Sequence, residues 1–292
     1  MAAGTAADDC DDGSVRPRQG SKLPGPIRTA GVLAPATALL AAGILAGCGD
    51  EPVPDPGPPA DRLRVEIVAT RPHDPEAFTQ GLEISDGELL EGTGRSGRSY
   101  LSARALDTGV ERTRVPVPDD MFGEGITVAG DTVWQLTWKD GVAIARDRDT
   151  LTPRDHVEYD GQGWGVCAAG DRLVMSDGSS TLTFRDPATF DVLGSTTVRV
   201  DGREIDNLNE LECAEDGSVY ANVWQTDRIV RIDPGSGRVT ATIDAGALRD
   251  ALTDEQRAEI DVLNGIAQVP GTDRFLVTGK YWPTMFEVRF VP

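Results

Sequence analysis

The chain has 292 residues, 33 of them glycine and 19 proline, and a formal charge of −20. That length holds one large domain or two ordinary ones. Such an acidic balance argues against a nucleic-acid partner, because phosphate binding needs a basic patch, and fits a soluble acidic surface or a cationic substrate group. No long apolar-periodic helix follows residue 60. Frequent glycine and proline then point to an all-β chain with many tight turns.

The first segment reads as a leader. Arg16, Arg18, Lys22 and Arg28 precede an apolar run over 30–46, which has the length of a signal-peptide core and is short for a membrane span. The run ends in Leu45-Ala46-Gly47-Cys48, which resembles a bacterial lipobox. Residues 1–47 are therefore expected to be a lipoprotein signal peptide, with Cys48 lipidated and the protein anchored to the outside of the cell envelope. An ordinary secretory signal with an incidental cysteine is the alternative. The leader carries four basic and four acidic residues, so its loss leaves the charge at −20. Residues 48–61, rich in proline, cannot bury apolar area and form a tether. Residues 62–292 remain for the folded domain.

That domain repeats itself. Gln80, Glu124, Trp164, Asn209 and Asn264 fall in one column, spaced 44, 40, 45 and 55 residues apart, and four of the five are followed by glycine. Each leads into a turn signal (Asp86-Gly87, Gly130-Asp131, Gly170-Asp171, Asp216-Gly217, Gly271-Thr272-Asp273) and then a short apolar strand. Those strands end in a second column, Gly94, Trp138, Gly178, Trp224 and Lys280, lying 14, 14, 14, 15 and 16 residues after the first. The pattern is two antiparallel strands joined by a tight turn, with both columns at the same end. Third strands are predicted over 101–106, 143–148, 182–186, 229–233 and 285–290, and fourth strands over 111–117, 156–159, 192–200 and 238–244. The fifth repeat lacks a fourth strand, and residues 63–68 stand before the first repeat without a partner. The expected fold is a five-bladed β-propeller of four-stranded antiparallel sheets, its ring closed by the N-terminal strand. Residues 247–262 read as one helical insertion, capped by Thr253 or Asp254.

Cys167 and Cys213 lie at matching offsets from the first column on neighbouring repeats, so a disulfide between them is predicted; two buried free thiols are the alternative. Three of the five tryptophans fall in the two columns, and only Lys139 and Lys280 remain as lysines after the leader. Carboxylate, carboxamide, amine and aromatic groups thus share one ring. Packing alone accounts poorly for that mixture, since a buried Glu–Lys pair rarely stabilises a fold. Metal catalysis is weakly supported. The two histidines, His73 and His156, have no ligand spacing and read as surface or turn residues, while Glu210, Glu212 and Asp206 offer oxygen ligands for calcium only as a remote option.

The blocks Phe-Thr-Gln-Gly-Leu at Phe78, Phe-Gly-Glu-Gly-Ile at Phe122, Trp-Gly-Val-Cys at Trp164, Leu-Asn-Glu-Leu-Glu at Leu208 and Leu-Asn-Gly-Ile-Ala at Leu263 resemble the plant-type glutaminyl-peptide cyclotransferases. The resemblance runs from Leu63 to Val291. It implies a five-bladed propeller that converts N-terminal glutamine to pyroglutamate with loss of ammonia and without a cofactor. By matching motif, it implies Glu124 as the catalytic carboxylate, with Lys280, Gln80 and Asn209 beside it. Phe78, Phe122, Trp138, Trp164 and Trp224 form the implied aromatic wall. The expected partners are peptides or proteins with N-terminal glutamine, the membrane only through the lipid, and no second subunit. Two other readings fit the same residues: a non-catalytic binding module, and a lactonase-like hydrolase holding a divalent metal through Glu and Asn.

Overall fold

The computed structural model describes residues 57–292; the predicted leader, Cys48 and the tether up to residue 56 lie outside the described residues. The strands in chain order are β1 (Asp61–Pro72), β2 (Thr79–Ser85), β3 (Glu88–Thr93), β4 (Tyr100–Ala105), β5 (Glu111–Pro116), β6 (Gly123–Ala129), β7 (Thr132–Thr137), β8 (Val142–Asp147) and β9 (Pro153–Glu158). They continue with β10 (Val166–Ala169), β11 (Arg172–Ser176), β12 (Thr181–Arg185), β13 (Val192–Thr197), β14 (Arg199–Val200), β15 (Arg203–Glu204), β16 (Leu208–Cys213), β17 (Val219–Val223), β18 (Arg228–Asp233) and β19 (Arg238–Asp244). Two short helices, α1 (Gly246–Asp250) and α2 (Asp254–Glu259), precede β20 (Leu263–Gln268), β21 (Arg274–Gly279) and β22 (Thr284–Val291).

The chain is all-β apart from those helices. β2–β5, β6–β9 and β10–β13 each form a four-stranded antiparallel sheet. A larger sheet runs β16-β17-β18-β19-β1-β22-β21-β20. The predicted turns explain the hairpins. Between β2 and β3, Asp86 and Gly87 both have positive φ (51° and 76°), the two-residue turn whose twist matches the flanking strands.

The core is divided into five clusters, each between successive groups of strands. Leu90 and Leu101 meet Ile126 and Val133; Trp134 and Leu136 meet Val166 and Leu173; Val174 and Leu182 meet Leu208 and Ala221; Ile229 and Ile243 meet Ile266 and Val277. The fifth joins the last strands to the first, with Ala267, Leu276 and Met285 against Leu82 and Leu89. First strands of each group are buried and fourth strands such as β5 and β9 are mostly exposed. The inner backbones run very close together. A Cβ on Gly165 would stand 2.2 Å from the Asn209 carbonyl oxygen, so only glycine fits there.

The predicted Cys167–Cys213 disulfide is present, linking β10 to β16 with a Cα–Cα distance of 5.4 Å. Two local expectations are corrected, and the pairing of the N-terminal strand with the last one is found with an addition. Residues 247–262 form two helices because Thr253 adopts an extended conformation and caps α2 through a capping box with Gln256; Asp254 is inside the helix. Residues 192–200 are two strands, the second turning into the β14–β15 hairpin. The N-terminal strand pairs antiparallel with β22 over 64–72, and its first residues, 61–64, also pair parallel with β19.

Candidate active site

Where the two columns meet, a cavity of about 370 Å³ opens. Its lining includes every residue singled out for chemistry: Gln80, Glu124, Asn209 and Lys280, with Phe78, Phe122, Trp138, Trp164 and Trp224. The aromatic wall is built from two groups of rings. Phe78 packs edge-on to Tyr281 and Phe122 (ring centroids 5.2 and 6.0 Å), Phe122 lies 5.6 Å from Trp138, and Trp164 lies 5.4 Å from Trp224 at 85°. The second-column glycines make room for it. A Cβ on Gly178 would fall 2.6 Å from the Trp164 ring.

The four polar groups are all at most 4% exposed. Gln80 Nε2 donates to Glu124 Oε1 at 3.0 Å. Burial raises the Glu124 pKa well above the ordinary carboxylate range, and the Lys280 charge opposes that rise. Burial lowers the Lys280 pKa, with Glu124 and Asp261 opposing. Glu124 and Lys280 therefore sense each other across the shared cavity, and among the described residues no ion pair joins them. Lys280 Nζ instead stands 4.6 Å over the Phe78 ring. The Asn209 Oδ1 is buried without a partner, an acceptor with nothing yet to accept.

Asn264, the fifth member of the first column, does not line the cavity. It lies behind Gln80, its Nδ2 donating to Thr79 O at 3.0 Å and Gln80 Oε1 at 3.3 Å. His73 is corrected too. It is 6% exposed and bonded to Glu91, whereas His156 is exposed as expected. Glu210 and Glu212 are occupied by backbone N–H groups and Asp206 is exposed; among the described residues no group of three such side chains is placed to hold a metal.

Sequence reading missed Arg95, Gln225, Asp261 and Val262, which complete the lining. Arg95 and Gln225 directly follow the second column and have positive φ (98° and 62°), as does Tyr281 after Lys280 (62°). A left-handed non-glycine residue is uncommon and gathers at functional sites, but no residue type announces it. Gln162 was also missed. Its Oε1 accepts both indole N–H groups, from Trp138 at 2.8 Å and Trp164 at 3.1 Å, and so ties two walls together.

Comparison with known proteins places the chain among relatives of one kind. A family model described as glutamine cyclotransferase matches residues 38–290. A glutaminyl-peptide cyclotransferase of Arabidopsis thaliana is 39% identical over 229 residues, covering 77% of this chain and 71% of the plant protein. The crystal structure of Myxococcus xanthus glutaminyl cyclase superposes with a TM-score of 0.71 at 35% identity, covering 80% of this chain and 98% of that one.

Proposed function

The chain belongs to the glutamine cyclotransferase family, and from that premise we propose that its cavity converts the N-terminal glutamine of peptides and proteins to pyroglutamate, with Glu124 moving the proton. One observation carries the assignment of roles: Glu124 and Lys280 are buried, face one aromatic cavity and are not neutralised by a direct ion pair. The cavity lies near the small end of the roughly 300–1,000 Å³ usual for ligand pockets, which suits one folded side chain.

The reaction needs little more. The substrate's α-nitrogen attacks its own side-chain carbonyl carbon, the carbon–amide nitrogen bond breaks, and ammonia leaves. Attack is intramolecular, so holding the glutamine folded against the aromatic wall supplies much of the gain. Glu124 takes the proton lost by the α-amine and returns it to the departing nitrogen. Its raised pKa suits that double duty, because an acid–base group works best near ambient pH. Gln80 orients the carboxylate through the 3.0 Å bond. Lys280 donates to the oxyanion of the tetrahedral intermediate, and Asn209 lines the same cavity beside it. Indole faces hold the cationic amine.

We read the scaffold as a five-bladed propeller with β1 completing the last blade; the five inter-strand clusters and the β1–β22 pairing support this. A closed ring leaves no free sheet edge, which supports a monomer. The lipobox-like Cys48 and the disulfide support an enzyme tethered outside the cytoplasm. The test is incubation with a Gln-initiated peptide. Ammonia release that persists with chelator present is expected. No release, or release abolished by chelation, would return the site to a binding module or a metal-dependent hydrolase.

A further inference from the structure

His73 has both ring nitrogens engaged in the interior. Nδ1 stands 2.6 Å from the Trp282 carbonyl oxygen and Nε2 stands 2.8 Å from Glu91 Oε1. A carbonyl oxygen only accepts, so Nδ1 carries a proton. Glu91 also accepts from Thr79 Oγ1 at 2.8 Å and from Arg104 Nη2 at 3.2 Å. Its burial disfavours charge, but His73, Arg104 and Thr79 outweigh that and hold its pKa down to about 2. Burial lowers the His73 pKa, but the Glu91 charge, the hydrogen bond to it and the Trp282 carbonyl outweigh that and raise it, which favours the imidazolium. The side chains of His73 and Glu91 are fully buried.

A buried ion pair is weak evidence for stability, because desolvation offsets its attraction. What distinguishes this pair is where its two ends attach. On the histidine side, His73 N donates to Pro283 O at 3.0 Å, and the neighbouring Tyr281 N donates to Ala77 O at 2.8 Å. Together with the ring bond to Trp282 O, these fasten the turn that begins with Lys280. On the glutamate side, the bond from Thr79 fixes the residue before Gln80, whose backbone carbonyl and neighbouring side chain are also gripped by Asn264. Arg104 from β4 and the Thr278 hydroxyl from β21, 3.2 Å from Nδ1, complete the surroundings.

We propose that the His73–Glu91 pair is a positioning strut, which sets the place of Lys280 relative to the Gln80–Glu124 pair and so aligns the oxyanion donor with the proton shuttle. The strut touches no substrate; it acts through the strand on one side and the turn on the other. The proposal rests on the cyclase reading of the cavity.

His73→Gln is expected to lower kcat on a Gln-initiated peptide at least tenfold with KM within about twofold, while circular dichroism shows a folded protein at the assay temperature. Thr79→Val cuts only the tie to the Gln80 strand and is expected to lower kcat by a smaller factor; it decides the matter if His73→Gln does not fold. Nitrogen-15 NMR of the wild-type ring at about pH 8 is expected to show both nitrogens protonated. Melting temperatures that fall while kcat per folded molecule stays unchanged would reduce the pair to a structural contact and overturn the proposal. So would a neutral ring. A wild-type protein inactive on Gln-peptides would instead sink the cyclase reading, with the pair still standing or falling on its ring protonation.

Discussion

Two groups of carboxylates lie on the inner strands β2, β6 and β16 and behave differently. Glu124 faces the cavity with one hydrogen bond, from Gln80. Glu83 and Glu212 sit three residues beyond the first column, on the order of 10 Å along their strands, and Glu210 one residue beyond it. Each accepts from backbone N–H groups of a neighbouring strand. Glu210 accepts from Leu82 N at 3.1 Å and Ile266 N at 2.8 Å, Glu212 from Gln268 N at 3.1 Å, and Glu83 from Val128 N at 3.0 Å. Burial raises the proton affinity of all four. A raised pKa therefore does not by itself mark the working residue. The distinction is the partner and the place: Glu83, Glu210 and Glu212 clasp neighbouring strands through backbone N–H groups, and Glu124 is met by a side chain at the cavity.

The sharpest way to break this comparison is to remove one charge from each group. Glu124→Gln is expected to lower kcat about 10²- to 10⁴-fold with little change in melting temperature, as general acid–base loss does. Glu210→Gln is expected to do the reverse, keeping activity per folded molecule and costing about 1–3 kcal/mol of stability through one lost backbone acceptor. Ammonia-release kinetics beside thermal denaturation read both, and similar kinetic losses in the two variants would abolish the distinction.

The disulfide borders the clasping group. Replacing Cys167 and Cys213 by alanine opens a crosslink spanning 46 residues and is expected to cost about 4 kcal/mol on the chain-entropy account, lowering the melting temperature without changing kcat. In the cavity, Lys280→Met is expected to lower kcat about 10²- to 10³-fold, the range for one lost oxyanion donor, with KM less affected. A KM effect alone would recast Lys280 as a binding group.

The clasping carboxylates also set a pH dependence. The Glu83 and Glu212 pKa values are raised to about 7 and about 8 from 4.5. The folded state therefore holds protons that the unfolded chain releases. This contribution to stability is full below about pH 4.5 and is lost as pH rises through 7 to 8. Melting temperature is expected to fall from pH 5 to pH 9, and Glu83→Gln with Glu212→Gln should flatten that slope. The smallest expected effect is at the wall. Gln162→Ala frees both indoles and should raise KM roughly three- to tenfold, about the worth of one or two hydrogen bonds, with kcat nearly unchanged.

The site was legible in sequence to an unusual depth because it is built at a repeated position. Once the first column is aligned, Gln80, Glu124, Trp164 and Asn209 stand out as unlike residues at equivalent places, and Lys280 stands out against a chain almost without lysine. Asn264 satisfied the same rule and still faces away from the cavity, because β20 takes up a hydrogen-bonding role behind Gln80. Repetition identifies a position, and only the packing of neighbours decides where its side chain ends.

Sequence periodicity thus determined the all-β scaffold, the order of its hairpins, the disulfide pairing and the residues that meet in the cavity, since each is a local pattern at a fixed offset. Tertiary structure alone decided which polar groups are already spent. His73 looked like a turn residue until Glu91 and the Trp282 carbonyl, 18 and 209 residues away, closed around it. Gln162 drew no notice until two indoles converged on it. Hydrogen bonding between distant segments leaves no period in the chain, so the difference between Glu124, met by one side chain at the cavity, and Glu210, held by two backbone N–H groups, appears only after folding.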